Sequence, residues 1–196
     1  MRLYWCPRTR AMRALWLLEE AGVPFERVSI DIRNEESRAD ADFRRVSPLG
    51  KVPALEDGPV RLTDSGAMCL YVADAYPESG LAPPIGHADR GAYLQWVTFT
   101  NACIEPAMLE KHAGLAPNPR SYGWGDLPSV VGRLREGVRR GPWILGERFS
   151  AADVLLGAAA HFLVLFKTVG EDAILEGYAR RCLQRPAAQR ALAAEG

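Results

Sequence analysis

Residues 47–65 read SPLGKVPALEDGPVRLTDS, and this stretch decides the fold. Two short apolar runs, residues 52–55 and 60–62, flank the dipeptide Asp57-Gly58. Asp-Gly readily adopts the positive-φ conformation of a tight hairpin turn. The pattern therefore predicts two antiparallel strands joined by a short turn.

A helix is predicted directly after this hairpin. Asp64 and Ser65 precede apolar residues at helical spacing, and Asp or Ser in that place is an N-cap signal. The first turn of a helix presents backbone N–H groups without intrahelical partners, and such groups bind anions. We therefore expect an anionic ligand at Asp64-Ser65, beside the strand that begins at Val52.

Pro53 lies inside the first predicted strand, where it removes an N–H from the hydrogen-bond ladder. A proline of this kind belongs at the start of a strand, at an edge or at a bulge. A cis Val52–Pro53 bond would also explain it, by turning the Val52 backbone toward a ligand, although most bonds before proline are trans. The residues alone leave these alternatives open.

The whole stretch resembles the glutathione-binding segment of the cytosolic glutathione transferases. In that family a Val and a cis proline pair with the cysteinyl backbone of glutathione, and an acidic-Ser pair at the next helix holds the γ-glutamyl group. The resemblance implies these roles for Val52, Pro53, Asp64 and Ser65, with Lys51 reaching the glycine carboxylate. Asp64 departs from the family pattern, which more often has Glu before the Ser.

The composition is that of an ordinary soluble protein. Of the 196 residues 48% are hydrophobic, and Lys+Arg equals Asp+Glu at 24 each. The chain therefore has no excess of positive charge that would favour nucleic acid or an anionic membrane as a partner. The chain opens without the pattern of a secretory signal peptide, and its longest apolar run, residues 154–166, is too short to span a bilayer.

The four cysteines, Cys6, Cys69, Cys103 and Cys182, lie far apart in the sequence. They show no CxxC pair and no metal-ligand spacing, and the three histidines show none either. We interpret the cysteines as reduced thiols of a cytoplasmic protein and expect no metal.

The order of predicted elements indicates two domains. The hairpin and its helix are preceded by four predicted elements. These are a strand over 3–6, a helix over 10–21, a strand over 28–32 and a short irregular helix within 33–42. This order predicts a thioredoxin-like βαβαββα domain over residues 1–77, of the α/β class. A linker rich in Pro and Gly, residues 78–86, follows it.

Residues 87–196 are predicted to form an all-helical domain. Within it Ser150 and Asp153 form a capping box, with Phe149 placed to pack on Val154 as a hydrophobic staple. The phrase resembles a helix start in the α-domain of glutathione transferases. The predicted helices of this domain cover residues 88–113, 127–139, 151–167, 171–183 and 186–194.

The turn between the first strand and the first helix is the predicted catalytic segment. A transferase of this kind needs a donor to the glutathione sulfur, because such a hydrogen bond favours the thiolate. The resemblance places Thr9 where Ser-type transferases carry their hydroxyl, although Thr9 would serve equally as a plain N-cap. Arg10 could instead hold the thiolate by its charge, or remain a solvated residue of the first turn.

Cys6 indicates a different mechanism. Cys6-Pro7-Arg8-Thr9 resembles the glutaredoxin site with its second cysteine replaced, as in the omega-type transferases. A Cys6 thiolate would form a mixed disulfide with glutathione and support thiol transfer. The alternative is a buried cysteine at the end of a strand.

An apolar electrophile would bind between the two predicted layers. Its candidate pocket residues, each of which could equally belong to the core, are Tyr93, Trp96, Phe99, Thr100, Asn101 and Trp124. The resemblance thus implies a glutathione transferase of detoxifying type, with glutathione as co-substrate and a homodimer as the assembly. A Cys6-dependent thiol-disulfide oxidoreductase and a non-catalytic interaction protein are the alternatives, and the intact Val-Pro and Asp-Ser argue against the last.

Overall fold

The computed structural model describes residues 1–195 of the chain. Contacts group these residues into two compact units. Met1–Gly80 and the chain from Pro186 onward form the first unit, and Leu81–Arg185 form the second.

The first unit is an α/β layer built on a four-stranded sheet of order β2-β1-β3-β4. β1 runs parallel to β2 and antiparallel to β3, which is itself antiparallel to β4. The order confirms the predicted thioredoxin-like domain, with two short helices where one was expected. Its elements are β1 Arg2–Trp5, α1 Ala11–Ala21, β2 Glu26–Ser29, α2 Glu35–Ala39, α3 Ala41–Val46, β3 Ala54–Asp57, β4 Val60–Leu62 and α4 Ser65–Ala75, followed by a 3-10 turn at Pro77–Ser79.

Two strands of this unit are shorter or shifted relative to the predicted ones. β2 ends at Ser29, yet Ile30 stays buried in the core and its N–H bonds the Trp5 carbonyl at 2.8 Å. β3 begins at Ala54 because Pro53 has no N–H to donate to the ladder. The Val52–Pro53 bond is cis, and Pro53 directly precedes the strand, so both explanations offered for this proline apply.

One face of the sheet packs on helix α3. Tyr4, Phe43, Val46 and Ala54 form a buried cluster with Ile30, and the half-buried Val52 packs against it. The rings of Tyr4 and Phe43 lie 5.8 Å apart. Tyr4, which precedes the turn between β1 and α1, is thus a core residue.

Helix α10, Pro186–Ala193, belongs to the first unit, whereas the sequence placed it with the helical domain. Its small residues Ala187, Ala188 and Ala191 are buried, which lets the helix pack closely on α1. The Arg190 guanidinium bonds the Glu19 carboxylate of α1 at 2.5 Å. The predicted boundary at residue 87 therefore leaves out this return of the chain.

The second unit is helical, as predicted, with one isolated β-bridge between Trp143 and Gly146. The predicted long helix over 88–113 is interrupted by a π-helical turn at Thr100–Ile104. None of the helices in residues 1–195 is both long and apolar enough to cross a membrane. The helices are α5 Arg90–Phe99, α6 Glu105–His112, α7 Leu127–Val138, α8 Ala151–Leu165 and α9 Ala173–Leu183.

The predicted capping box at the start of α8 is confirmed. The Ser150 side chain bonds the first turn of the helix, and the Asp153 carboxylate bonds the Ser150 N–H at 2.9 Å. Asp153 also accepts from the Ile144 N–H and from the Tyr178 hydroxyl. This carboxylate therefore joins α8 to the segment before it and to α9.

Gly137→Ala is expected to lower the free energy of unfolding by about 1–3 kcal/mol, because it overpacks the core. A Cβ at Gly137 would lie 2.6 Å from two carbons of the Trp96 ring and 2.8 Å from Ile144 Cδ1. Both neighbours are buried and cannot move away easily. Urea unfolding followed by circular dichroism measures the change.

Gly132→Ala is the matched control on the same helix. A Cβ at Gly132 meets no atom within 4 Å, so only the gain in helix propensity remains. We expect this variant to be unchanged or slightly more stable. Equal unfolding midpoints for the two variants would contradict the proposed overpacking.

Candidate functional site

The register of the sheet brings three loops of the first unit to one edge. Tyr4 of β1 lies opposite Ala54 of β3, so the turn after β1 lies beside the residues that precede β3. Leu55 of β3 lies opposite Leu62 of β4, so the start of α4 approaches the same place. The predicted catalytic turn and the predicted glutathione-binding residues are therefore gathered at this edge.

The loop before β3 is held by the buried hydroxyl of Ser47. Ser47 Oγ donates to the Lys51 carbonyl at 2.8 Å and accepts from the Lys51 N–H at 2.9 Å. Gly50 has φ +62°, in the left-handed region that favours glycine, and its N–H bonds the Ser47 carbonyl. The Lys51 backbone is thus fully engaged while its side chain is exposed.

The backbone of Val52 is available to a ligand. Neither its N–H nor its carbonyl bonds another backbone group within residues 1–195, whereas the N–H and the carbonyl of Lys51 both bond the Ser47 hydroxyl. An unpaired backbone N–H and carbonyl are complementary to an extended peptide. Because Val52 is half-buried, the surrounding side chains fix its position.

Helix α4 begins at the same edge with Asp64 as its N-cap. Asp64 Oδ1 accepts from the Ala67 N–H at 2.9 Å, and its carbonyl accepts from the Met68 N–H. Ser65 is the first helical residue and is 9% exposed. The N-terminal end of α4 has a positive potential, to which an anionic group is attracted.

In the turn between β1 and α1, the Thr9 hydroxyl makes two hydrogen bonds. Thr9 Oγ1 donates to the Cys6 carbonyl at 2.7 Å and accepts from the Ala11 N–H at 3.1 Å. Its proton is therefore engaged inside the turn, and it must turn away from Cys6 to reach a ligand. Arg10 is half-buried and makes no side-chain cap to the helix.

Cys6 lies at the end of β1 and is 2% exposed. The guanidinium of Arg33, Nη1, donates to its sulfur at 3.4 Å. Arg33 follows β2 in a polar stretch, so no spacing in the sequence indicated that it would meet Cys6.

Arg13 of α1 is also a residue that the sequence did not single out. It is 1% exposed, although an arginine side chain is seldom fully buried. Its charge and that of Asp64 both act on the buried thiol of Cys69 in α4. Burial raises the pKa of that thiol strongly, so Cys69 is an inert core residue.

The six candidate pocket residues divide into two groups within the second unit. Tyr93, Trp96, Phe99 and Thr100 are buried, which agrees with the alternative that they belong to the core. Asn101 and Trp124 are half-buried. Trp124 donates to the buried Glu110 at 3.0 Å, so its loop is fixed to α6.

The structure shows no disulfide among the four cysteines, which are all free. Within residues 1–195 no three side chains of His, Cys, Asp or Glu are grouped as a metal site would need.

Known proteins resemble this chain in sequence and in fold. The family model of the glutathione S-transferase N-terminal domain matches residues 1–74. A solved sphingomonad glutathione S-transferase complexed with glutathione is 32% identical to this chain, with a TM-score of 0.79, over 100% of this chain and 99% of that one. The chain belongs to the glutathione S-transferase family.

Two curated relatives of this glutathione S-transferase come from Escherichia coli. Glutathione S-transferase GstA of strain O157:H7 is 29% identical over 212 residues, 100% of this chain and 99% of the relative. Disulfide-bond oxidoreductase YfcG of strain K12 is 26% identical over 165 residues, 78% of this chain and 75% of the relative. Both names describe enzymes, in line with the enzymatic alternatives drawn from the sequence.

For a glutathione S-transferase, the edge described above is chemically suited to glutathione. That tripeptide offers a peptide backbone, an α-amino group and two carboxylates. The backbone of Val52, the carboxylate of Asp64 and the start of α4 provide complementary groups. The exposed Lys51 side chain adds a cation near the same loop.

Proposed function

We propose that this protein, a glutathione transferase, binds glutathione at Lys51, Val52, Pro53, Asp64 and Ser65. The unpaired Val52 backbone, held beside the start of α4 by the sheet register, is the observation that carries the proposal. Val52 pairs with the cysteinyl part of glutathione, and Asp64 with Ser65 holds the γ-glutamyl group. Lys51 is assigned to the glycine carboxylate.

Bound in this way, glutathione places its thiol at the turn after β1. The Thr9 hydroxyl donates to the sulfur and favours the thiolate, and Arg10 adds positive charge nearby. The thiolate attacks an apolar electrophile. Product release restores the hydrogen bond from Thr9 to the Cys6 carbonyl.

Ser65→Ala is expected to weaken glutathione binding about 10-fold, the effect of losing one hydrogen bond to a charged group. Titration calorimetry of the purified protein with glutathione measures the dissociation constant. Ser129→Ala is the matched control, because it also removes a hydroxyl from the first turn of a helix, α7. The control should bind glutathione as the parent does.

Unaltered affinity in Ser65→Ala would leave Ser65 as a helix-start residue only. Failure of the parent to bind glutathione at millimolar concentration would contradict the proposed site as a whole. A loss of affinity in both Ser variants would point to general destabilisation, which thermal unfolding of each variant detects.

A second function is supported by the hydrogen bond from Arg33 to the Cys6 sulfur. In it the Cys6 thiolate attacks a mixed disulfide between glutathione and a substrate thiol, takes the glutathionyl group and releases the substrate thiolate. A glutathione thiolate then attacks the Cys6–glutathione disulfide, which restores the Cys6 thiolate and releases glutathione disulfide. Cys6→Ser should abolish this thiol-disulfide exchange and leave conjugation to an electrophile largely intact, whereas exchange by the variant at the parent rate would exclude Cys6.

Membership of the family also supports three broader proposals. We infer that the protein acts as a homodimer, in the cytoplasm, on electrophiles that it detoxifies. Light scattering of the purified chain tests the first of these: a mass close to twice that of the 21.5 kDa chain supports the dimer, and a monomer contradicts it.

A further inference from the structure

The turn after β1 contains a residue in an unusual backbone conformation. Arg8 has φ +60°, in the left-handed region that non-glycine residues rarely adopt. Its side chain is exposed, so packing of the side chain does not hold it there. The conformation therefore depends on contacts of the Arg8 backbone.

The backbone contact that the structure provides comes from the far end of the chain. The Arg8 N–H donates to Oε2 of Glu195 at 2.5 Å, across a separation of 187 residues. A hydrogen bond from an amide to a carboxylate is charge-assisted and stronger than a neutral one. This bond joins the turn to the residues that follow helix α10.

Glu195 is held in position by the packing of α10. That helix lies against α1 and is tied to it by the bond from Arg190 to Glu19. Beyond the helix, the Ala194 N–H bonds the Ala191 carbonyl and the Glu195 N–H bonds the Leu192 carbonyl. The carboxylate thus reaches Arg8 from an ordered segment.

The environment of the carboxylate indicates a specific function for it. Its other oxygen, Oε1, is buried and has no hydrogen-bond partner within residues 1–195. Burial raises the pKa of the Glu195 carboxyl, and the Arg8 N–H and guanidinium charge oppose this only in part. A carboxylate in this place is less well solvated than one in water, which costs free energy. The hydrogen bond from the Arg8 N–H offsets part of that cost.

Two side chains therefore hold the turn from Cys6 to Thr9. The Thr9 hydroxyl ties its own residue to the Cys6 carbonyl from inside the turn. Glu195 holds the Arg8 amide, between these two residues, from outside. Loss of the outer contact would release Arg8 from φ +60° and change the direction of both neighbours.

We propose that Glu195 is a positioning residue for the thiol site, which orients Thr9 and Cys6 by holding the Arg8 amide. The proposal rests on the proposed function in one respect, since it takes these two side chains to act on a thiol. It adds a residue that touches neither glutathione nor the reacting sulfur. Glu195 acts on catalysis only through the backbone of the turn.

The test compares three variants in a Cys103→Ser background, so that the half-buried Cys103 does not react. Glu195→Ala removes the acceptor of the Arg8 N–H. Glu195→Gln keeps a carbonyl oxygen as acceptor on a side chain of the same length. Glu19→Ala is the matched control, because it breaks the ion pair between α1 and α10 away from the turn. Each protein is assayed for the rate at which a maleimide labels Cys6, located by peptide mass, and for glutathione conjugation.

Glu195→Ala should raise the rate of Cys6 labelling about fivefold, because the turn opens more often. It should lower kcat for conjugation about 10-fold with little change in the KM for glutathione, since the thiol-binding groups are misplaced while Val52 and Ser65 are intact. Glu195→Gln should restore both values, and Glu19→Ala should leave both near those of the parent.

Parental labelling and kcat in Glu195→Ala would overturn the proposal. Equal effects of Glu195→Ala and Glu19→Ala would also overturn it, because Glu195 would then act only by fixing α10. The labelling assay needs no glutathione. If the parent fails to conjugate, the proposed function fails, and faster labelling in Glu195→Ala alone still supports the positioning of the turn.

Discussion

Asp153→Ala is expected to lower the free energy of unfolding by about 3–5 kcal/mol, because it leaves several buried donors without an acceptor. The Asp153 carboxylate accepts from the Ile144 N–H at 2.7 Å and from the Tyr178 hydroxyl at 2.8 Å. It also accepts from the N–H and the hydroxyl of Ser150, at 2.9 and 3.0 Å. All of these groups are buried, so water cannot replace the carboxylate.

The loss is large because one side chain connects three parts of the second unit. Removal of Asp153 weakens three features at once. These are the start of α8, the hydrogen bond that holds the Ile144 backbone against α8, and the contact between α8 and α9. A domain of this size is stable by only about 5–15 kcal/mol, so the loss is a large fraction of its stability. Urea unfolding at neutral pH, followed by tryptophan fluorescence, measures the effect.

Two variants separate the contribution of the hydrogen bonds from that of the helix cap. Asp153→Asn keeps one acceptor oxygen but turns an amide toward a donor, so we expect an intermediate loss. Asp126→Ala removes the N-cap of α7, whose side chain bonds the N–H and the hydroxyl of Ser129 in a half-buried place. It should have a much smaller effect than Asp153→Ala. Equal losses at the two caps would contradict the connecting role of Asp153.

The features of this protein that the sequence predicted are those with local causes. The Asp57-Gly58 turn, the cap at Asp64 and the capping box at Ser150 each depend on residues a few positions apart. The spacing of apolar residues is likewise local, and it located most of the helices within a few residues. Where the structure differs, as at the start of β3, a single proline is the reason.

The site was predicted less completely because its geometry depends on distant contacts. Residue types and their order identified Val52, Asp64 and Ser65 as candidates. They could not show that Arg33 meets Cys6 across 27 positions or that Glu195 meets Arg8 across 187. Such contacts arise from the packing of whole elements, and no pattern within one segment encodes them.

The sequence also did not show which of the candidate side chains are buried in the core. Trp96 was a candidate pocket residue by its type, but the structure packs its ring against Gly137 and places the Arg133 guanidinium 4.5 Å from its centre. An aromatic residue on an amphipathic helix serves a core and a pocket equally well, so its sequence environment does not distinguish them.

Thr9→Ala is expected to lower kcat/KM for conjugation to an activated aryl halide about 100-fold, the effect typical of removing one donor to a developing or stabilised anion. The dissociation constant of glutathione should change little, because its proposed contacts at Val52 and Ser65 are left intact. The pKa of bound glutathione should rise in the variant, which moves the pH dependence of kcat/KM to higher pH. Stopped-flow absorbance of the thiolate over a pH series measures this shift.

The structure sharpens this test, because Thr9 has a second role. Its hydroxyl bonds the Cys6 carbonyl and the Ala11 N–H, so Thr9→Ala also loosens the turn. Thr9→Ser is the matched control, since it keeps the hydroxyl for both roles and should retain most of the activity. A loss of rate in Thr9→Ala without a shift in the pH profile would assign Thr9 to the turn alone. Unchanged turnover would remove Thr9 from the mechanism and leave Cys6 and Arg10 as the groups that act on the thiol.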